Sequence, residues 1–395
     1  MFRRFAPLFV VIALLSVATP AHAATKLEVS GWLPYWRAAS STANVRANFQ
    51  YVTEVNPFGY SIKNDGTLAD TAKLTQEPWA SFIADAKKNK IRVVPTIMWS
   101  DGAATHRILS DTKKRRALQD EIVALVKEKG YDGIDINFEA KWAETKPYFS
   151  LFLKGLYQKI GTKWVMCTIE ARTPLDSRYD STPPADATMY ANDYKEINKY
   201  CDRVRIMAYD QGSIDVKLNR ARAAPYVPVS DPAWAEKTIL EAAKTVSKKK
   251  LVLGIATYGY EYEVKPLSEY GYRYDRLWAL NPKYATDLAA KVGATPVRNA
   301  AGELSFIYKS TGTTPEGDTI PISQNNDPNV AATLYSQAAF ASTLQPPFNV
   351  VWWSDAEAIR QKVELAKKLG IRGVAFFKLD GGQDQGMWSA LTPVR

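Results

Sequence analysis

Histidine is almost missing from this chain of 395 residues, which has two, His22 and His106. A mechanism built on a histidine base has little to draw on, and a zinc site made of several histidines is excluded. Cysteine is equally scarce, with Cys167 and Cys201 alone. Two are too few for a disulfide-built scaffold, and they lack metal-ligand spacing. An oxidising compartment permits one bridge between them, and two separate buried thiols fit the sequence as well. No low-complexity segment occurs, no nucleic-acid motif accompanies the positive charge, and no glycine-rich phosphate loop follows the first strand-like run.

The longest apolar run opens the chain, MFRRFAPLFVVIALLSVATPAHA. Two arginines, a short apolar stretch and small residues at Ala21 and Ala23 read as a secretory signal peptide over 1–23, with the mature chain spanning 24–395. An uncleaved anchor is the alternative, although the run is short for a spanning helix. Nothing later resembles a transmembrane helix. The mature protein is therefore expected to be secreted or to lie in the periplasm or cell envelope of a bacterium. Losing Arg3 and Arg4 takes the formal charge from +10 to +8. The remaining lysines lie in helix-like runs such as TVSKKK, a solvated face, so no nucleic-acid partner is expected.

With 46% hydrophobic residues the chain has ample material for a core. Strand-like runs recur at 27–33, 51–60, 91–99, 131–139, 163–170, 203–210, 250–260 and 371–380. Helix-period segments lie between most of them, including RRALQDEIVALVKEKG closed by Gly130, and SDAEAIRQKVELAKKLG with a capping-box pattern at Ser354 and Glu357 and a stop at Gly370. Eight strands alternating with helices predict an α/β fold, a TIM (β/α)8 barrel; a doubly wound open sheet is the alternative. Residues 261–347, rich in Tyr, Pro, Gly and Thr, are too long for an ordinary loop and read as a small α+β insertion after strand seven.

The fourth run, YDGIDINFEA at 131–140, alternates where a core strand would not. Side chains two apart share a face, so Asp135, Asn137 and Glu139 point one way and Ile134, Ile136 and Phe138 the other. The apolar set is expected to pack on the helices and the polar set to face the barrel axis. Buried charge is costly, so such a ladder marks either a function or a tightly hydrogen-bonded network. Glu139 lies nearest the C-terminal end of its strand, the face where barrel active sites form.

At these residues the sequence resembles glycoside hydrolase family 18, whose fourth strand reads D-G-x-D-x-D-x-E. Asp132, Gly133, Asp135 and Glu139 match; Asn137 departs. MAYD at 207–210, beginning at Met207, resembles the family's M-x-Y-D. LGIATYGY at 253–260 resembles its L-G-x-x-x-Y-G, and GVAFF at 373–377 sits where strand eight usually ends in tryptophan. The resemblance covers nearly all of the mature chain and lies nearest the cell-wall and spore-cortex hydrolase branch, without that branch's wall-binding modules.

The resemblance implies a secreted glycosidase that cleaves β-linked N-acetylglucosamine in a peptidoglycan or chitin-like glycan. In this retaining reaction the substrate's own 2-acetamido group attacks the anomeric carbon. Glu139 would be the general acid and then the base, with its pKa raised by its surroundings. Asp135 would orient the central residue, Tyr209 would hydrogen-bond the acetamido carbonyl, Asp210 would hold sugar hydroxyls, and Asp132 and Met207, which complete the matched motifs, would also bind substrate. Asn137 keeps an acceptor for the acetamide N–H but not the charge of an aspartate. Asparagine beside a catalytic glutamate occurs in a related endo-β-N-acetylglucosaminidase family. Phe377 would floor the subsite with a smaller face than tryptophan. Tyr35, Trp36, Trp99, Tyr258, Trp352 and Trp353 lie near strand ends where rings stack on sugars, and core packing explains each as well. Glu170 and Arg172 are further cleft candidates, and an ordinary barrel-mouth salt bridge explains them equally well. The expected partner is an N-acetylglucosamine-containing polysaccharide, with no cofactor, no metal and a monomeric chain. A lectin-like relative that binds such glycans without cutting them is the alternative.

Overall fold

The computed structural model describes residues 26–222, 225–268, 271–309 and 347–393. The leader lies outside the described residues, as does 310–346 of the expected insertion.

Eight strands form the barrel: β1 (Glu28–Pro34), β2 (Glu54–Ile62), β3 (Thr96–Trp99), β4 (Gly133–Phe138), β5 (Trp164–Glu170), β6 (Arg203–Met207), β7 (Leu251–Ala256) and β8 (Gly373–Phe377). Each pairs in parallel with its neighbours in chain order, and β1 pairs with both β2 and β8, which closes the cylinder. A short stretch at Arg92–Val93 also pairs with β2, just before Val94 and Pro95 interrupt the run. Helices 79–88, 112–128, 146–160, 232–243 and 356–369 occupy the crossovers, as the helical periodicity predicts.

Alternation on β4 divides as expected. Ile134, Ile136 and Phe138 are fully buried on the helix side, where Phe138 packs on Phe149 and Phe152 of the following helix. Asp135 and Asn137 face the axis among Trp32, Met98, Thr96 and Thr168. Gly130 (φ +60°) and Gly370 (φ +63°) take the left-handed conformation that ends helices 112–128 and 356–369. The N-cap of the latter is Asp355, whose carboxylate accepts from the Ala358 N–H, and not the expected Ser354. The Ser354 hydroxyl is committed elsewhere, to Glu303.

Between β7 and β8 stands a five-stranded antiparallel sheet in the order 271–280, 259–268, 348–353, 304–309, 297–298, with helix 282–291 against it. Its limits are wider than 261–347, because Gly259 pairs with Trp353 and Tyr260 with Trp352. The run 250–260 therefore breaks at Thr257 and Tyr258 and changes sheets. A Cβ at Gly259 would lie 2.2 Å from the Trp352 carbonyl oxygen, so that corner requires glycine. Val351 and Trp353 join the small core of the insertion, while Val350 and Trp352 join the barrel core. Cys167 on β5 and Cys201 ahead of β6 are joined in a disulfide, their Cα atoms 5.9 Å apart. Among the described residues no helix is long and apolar enough to cross a membrane.

Candidate active site

The barrel axis is polar around Asp135. This carboxylate is completely buried and accepts from Trp32 Nε1 at 3.0 Å and from the Thr96 and Thr168 hydroxyls at 2.8 Å each. Arg205 Nη1 lies 3.0 Å away, and the same guanidinium pairs with Glu54, which also binds Arg92 at 3.1 Å. A buried carboxylate held by three hydrogen-bond donors and paired with an arginine is fixed in place. None of its hydrogen bonds goes to Asn137, so the expected orienting of Asn137 by Asp135 is not seen; Asp135 serves as the anchor of the lumen.

Asn137 turns instead toward the mouth. Its Nδ2 donates to Glu139 Oε1 at 2.9 Å, and its Oδ1 is buried without a hydrogen-bond partner among the described residues. Glu139 follows the last residue of β4, with its peptide N–H on the Trp99 carbonyl at 2.7 Å. Burial pushes the Glu139 carboxyl above its ordinary range. Glu170 and Asp210 add to the rise, while the Asn137 hydrogen bond and the Lys141 ammonium oppose it. The group is thereby biased toward the protonated form that a general acid needs.

Tyr209 and Asp210 follow β6. The Tyr209 ring stacks on Phe377 with centroids 5.8 Å apart and planes 17° from parallel. Burial holds its phenol well above the usual range, so it remains an O–H donor, and that hydroxyl has no hydrogen bond among the described residues. Asp210 sits at φ +58°, uncommon for a residue with a side chain, and its Oδ1 accepts from the Tyr258 and Tyr260 hydroxyls, the latter at 2.7 Å. Phe377 contacts Trp32, Phe58 and Tyr258 edge-on. A cavity of about 400 Å³ opens here, lined by Trp36, Asp210, Tyr258, Tyr260, Phe377 and Lys378, with Asn281 closing it from the insertion.

A model of the glycosyl hydrolases family 18 matches residues 32–382. The chain belongs to this family. It is therefore classed as a glycosidase. Among curated proteins it is 23% identical over 363 residues to the uncharacterized glycosylase YvbX of Bacillus subtilis, covering 89% of this chain and 88% of that one. It is 24% identical over 347 residues to the cortical fragment-lytic enzyme of the same organism, covering 83% of this chain but 65% of the relative's length. Solved structures share the fold. The Bacillus cereus spore cortex-lytic enzyme SleL has a TM-score of 0.66 at 19% identity over 93% of this chain and 74% of that one. A chitinase from Chromobacterium violaceum has a TM-score of 0.67 at 19% identity over 92% and 97%.

Within this family 18 barrel, the expected site residues at the C-terminal ends of the strands come together: Trp36 after β1, Glu139 after β4, Glu170 closing β5, Asp210 after β6, Tyr258 after β7 and Phe377 closing β8. Met207, level with Glu170, is partly buried against the core. One expectation is corrected, and for three tryptophans the core-packing alternative holds. Asp132 precedes β4 and accepts from the Val93 N–H at 2.8 Å, which puts it at the opposite end of the barrel as a strand-pairing residue. Trp99 lies level with Phe138, not Asn137, and packs edge-on against Phe138 on the helix side. Trp352 and Trp353 are buried in the two faces of the insertion sheet. Arg172 is enclosed by Tyr190 and Tyr194, each ring 3.8 Å from the guanidinium carbon. The sequence reading missed Trp32, Lys141, Arg205, Tyr260, Asn281 and Lys378. Parity along β6 marks Arg205, two residues before Met207, as an axial residue; for Asn281 and Lys378 no local signal exists, because the folded insertion brings them together.

Proposed function

We propose that this protein is a secreted or envelope glycosidase that cleaves β-linked N-acetylglucosamine in a peptidoglycan or chitin-like glycan by the substrate-assisted retaining route. The observation that carries the reading is the Asn137–Glu139 pair at the barrel mouth. One member is a carboxyl biased toward protonation; the other keeps a buried acceptor unmatched. A sugar in the cavity over Phe377 would place its acetamide between Asn137 and Tyr209. Asn137 Oδ1 accepts the acetamide N–H and Tyr209 donates to its carbonyl oxygen. That oxygen attacks the anomeric carbon while Glu139 protonates the departing glycosidic oxygen. Glu139, now a carboxylate, then takes a proton from the water that opens the cyclic intermediate and releases the sugar with retained configuration. Asp210, already held by two tyrosine hydroxyls, keeps acceptor capacity for sugar hydroxyls. The Cys167–Cys201 disulfide and the leader pattern support an exported location.

The test compares the mature protein with Glu139→Gln on N-acetylglucosamine oligomers and purified peptidoglycan strands, following new reducing ends by mass spectrometry. The expected result is cleavage by the parent and a fall of at least about a hundredfold in the variant, with glycan binding retained. Intact, bound glycan with both proteins would instead make this a binding protein.

A further inference from the structure

Behind Glu139 lies an ion pair that the polar ladder does not account for. The Lys141 side chain is 1% exposed, an expensive place for an ammonium unless it is matched. Its Nζ donates to the Phe138 carbonyl, lies 3.8 Å from Glu170 Oε2 and sits 4.8 Å over the Phe149 ring. Glu170 is itself held from the far side, its Oε2 accepting from Asn192 Nδ2 at 2.8 Å. Its Oε1 accepts from the Ala140 N–H at 3.2 Å. Ala140 has φ +52°, a conformation disfavoured for any residue with a Cβ. The backbone groups on both sides of Glu139 are therefore each bonded to one member of the pair: the Phe138 carbonyl to Lys141, the Ala140 N–H to Glu170. Together with the Glu139 N–H bond to the Trp99 carbonyl, those two bonds hold the turn around its left-handed residue.

We propose that Lys141 and Glu170 are positioning residues that clamp the 138–141 turn and so aim the Glu139 carboxyl into the cleft. This assigns Glu170 a place behind the acid, not on the sugar, and gives the buried lysine a purpose. The inference rests on Glu139 being the acid and base of the proposed reaction. The charged groups facing Glu139 are Lys141 on its own turn, Glu170 from β5 and Asp210 from the segment after β6, with Asn137 as its neutral neighbour. Within that set the two clamp residues act on the proton in opposite senses. Removing the lysine deletes a cation that favours the carboxylate; removing the glutamate deletes an anion that disfavours it.

The experiment uses Lys141→Met and Glu170→Gln in the full mature protein, with two readouts. The first is kcat and KM across pH on whichever glycan the parent cleaves. The second is the titration of the Glu139 carboxyl by carbon NMR in protein labelled at glutamate, assigned with Glu139→Gln. The expected result is a fall in kcat of about tenfold to a hundredfold in each variant, with KM within about twofold, because the acid is misplaced while the sugar site stays intact. The Glu139 titration should move up in Lys141→Met and down in Glu170→Gln, a pair of opposite shifts that loss of packing alone does not produce. Folded variants that keep the parent's kcat and the parent's titration would overturn the proposal. Glu170 is 41% exposed at its side chain, so Glu170→Ala, which removes the acceptor for the Ala140 N–H as well as the charge, decides the matter alone should the buried lysine prove essential for folding. A parent that cleaves neither glycan would sink the proposed reaction, and the NMR titration would still decide whether Lys141 and Glu170 act on the Glu139 carboxyl.

Discussion

Asn137 is the residue at which the ladder departs from a row of carboxylates, and its neutrality has a definite consequence for Glu139. Its amide donates to the Glu139 carboxyl at 2.9 Å, which opposes the rise that burial imposes, whereas a carboxylate in its place would add to that rise. Asn137→Asp should therefore move the Glu139 titration, and with it the alkaline limb of the kcat/KM profile, to higher pH. An unmoved limb would show that Asn137 does not tune the acid. Asn137→Ala removes both the bond to Glu139 and the unmatched Oδ1 offered to the acetamide. At about 1.5 to 3 kcal/mol for a contact with charge assistance, kcat should fall by about one to two decades. Steady-state kinetics on a single oligomer length checks both variants.

Among the elements, β4 and the insertion sheet divide the labour of making the site. β4 carries the ladder and anchors it at the fully buried Asp135, so the chemistry rests on a strand packed on both faces. The insertion supplies the wall, and one buried carboxylate helps to tie it to the barrel. Glu303, between strands 297–298 and 304–309, accepts from the Val229 and Ser230 N–H groups at 2.9 Å each and from the Ser354 hydroxyl at 3.2 Å. Lys362 lies 3.9 Å from it, both side chains fully buried; burial pushes Glu303 up and Lys362 down, and each partly counters the other. Glu303→Ala would strand two peptide donors and the lysine at once. The expected cost is about 3 to 5 kcal/mol by urea denaturation. A loss below about 1 kcal/mol would mean that the insertion is held by its apolar contacts instead. The element boundaries misread from sequence, the break at Thr257 and the cap at Asp355, both fall where this insertion meets the barrel.

For the molecule as a whole, closure of the barrel is recorded along its axis. Arg205 on β6 ties Asp135 on β4 to Glu54 on β2, so one ion chain spans three strands that are not neighbours. Outside the sheet, the disulfide joins β5 to the segment entering β6 across 34 residues of chain. Replacing both cysteines by alanine should cost about 2 to 4 kcal/mol through the looser unfolded chain. The active site should be spared, because neither sulfur contacts it. Equal denaturation midpoints for the two proteins would refute the first part, and a changed kcat the second.

The sequence by itself determined the alternation of strands and helices and the direction each β4 side chain faces, and its resemblance to family 18 singled out Glu139, Asn137, Tyr209, Asp210 and Phe377. All of these follow from local periodicity or from short motifs, which survive without knowledge of distant partners. Only the tertiary structure decided which neighbours each of them has. Asp135 turns to Arg205 and Trp32 and away from Asn137, Asp132 pairs strands at the far end, and Trp99 joins the core. The clamp of Lys141 and Glu170 exists only because β4 and β5 end side by side. Contacts of that kind depend on strand register and barrel closure, which no window of sequence contains.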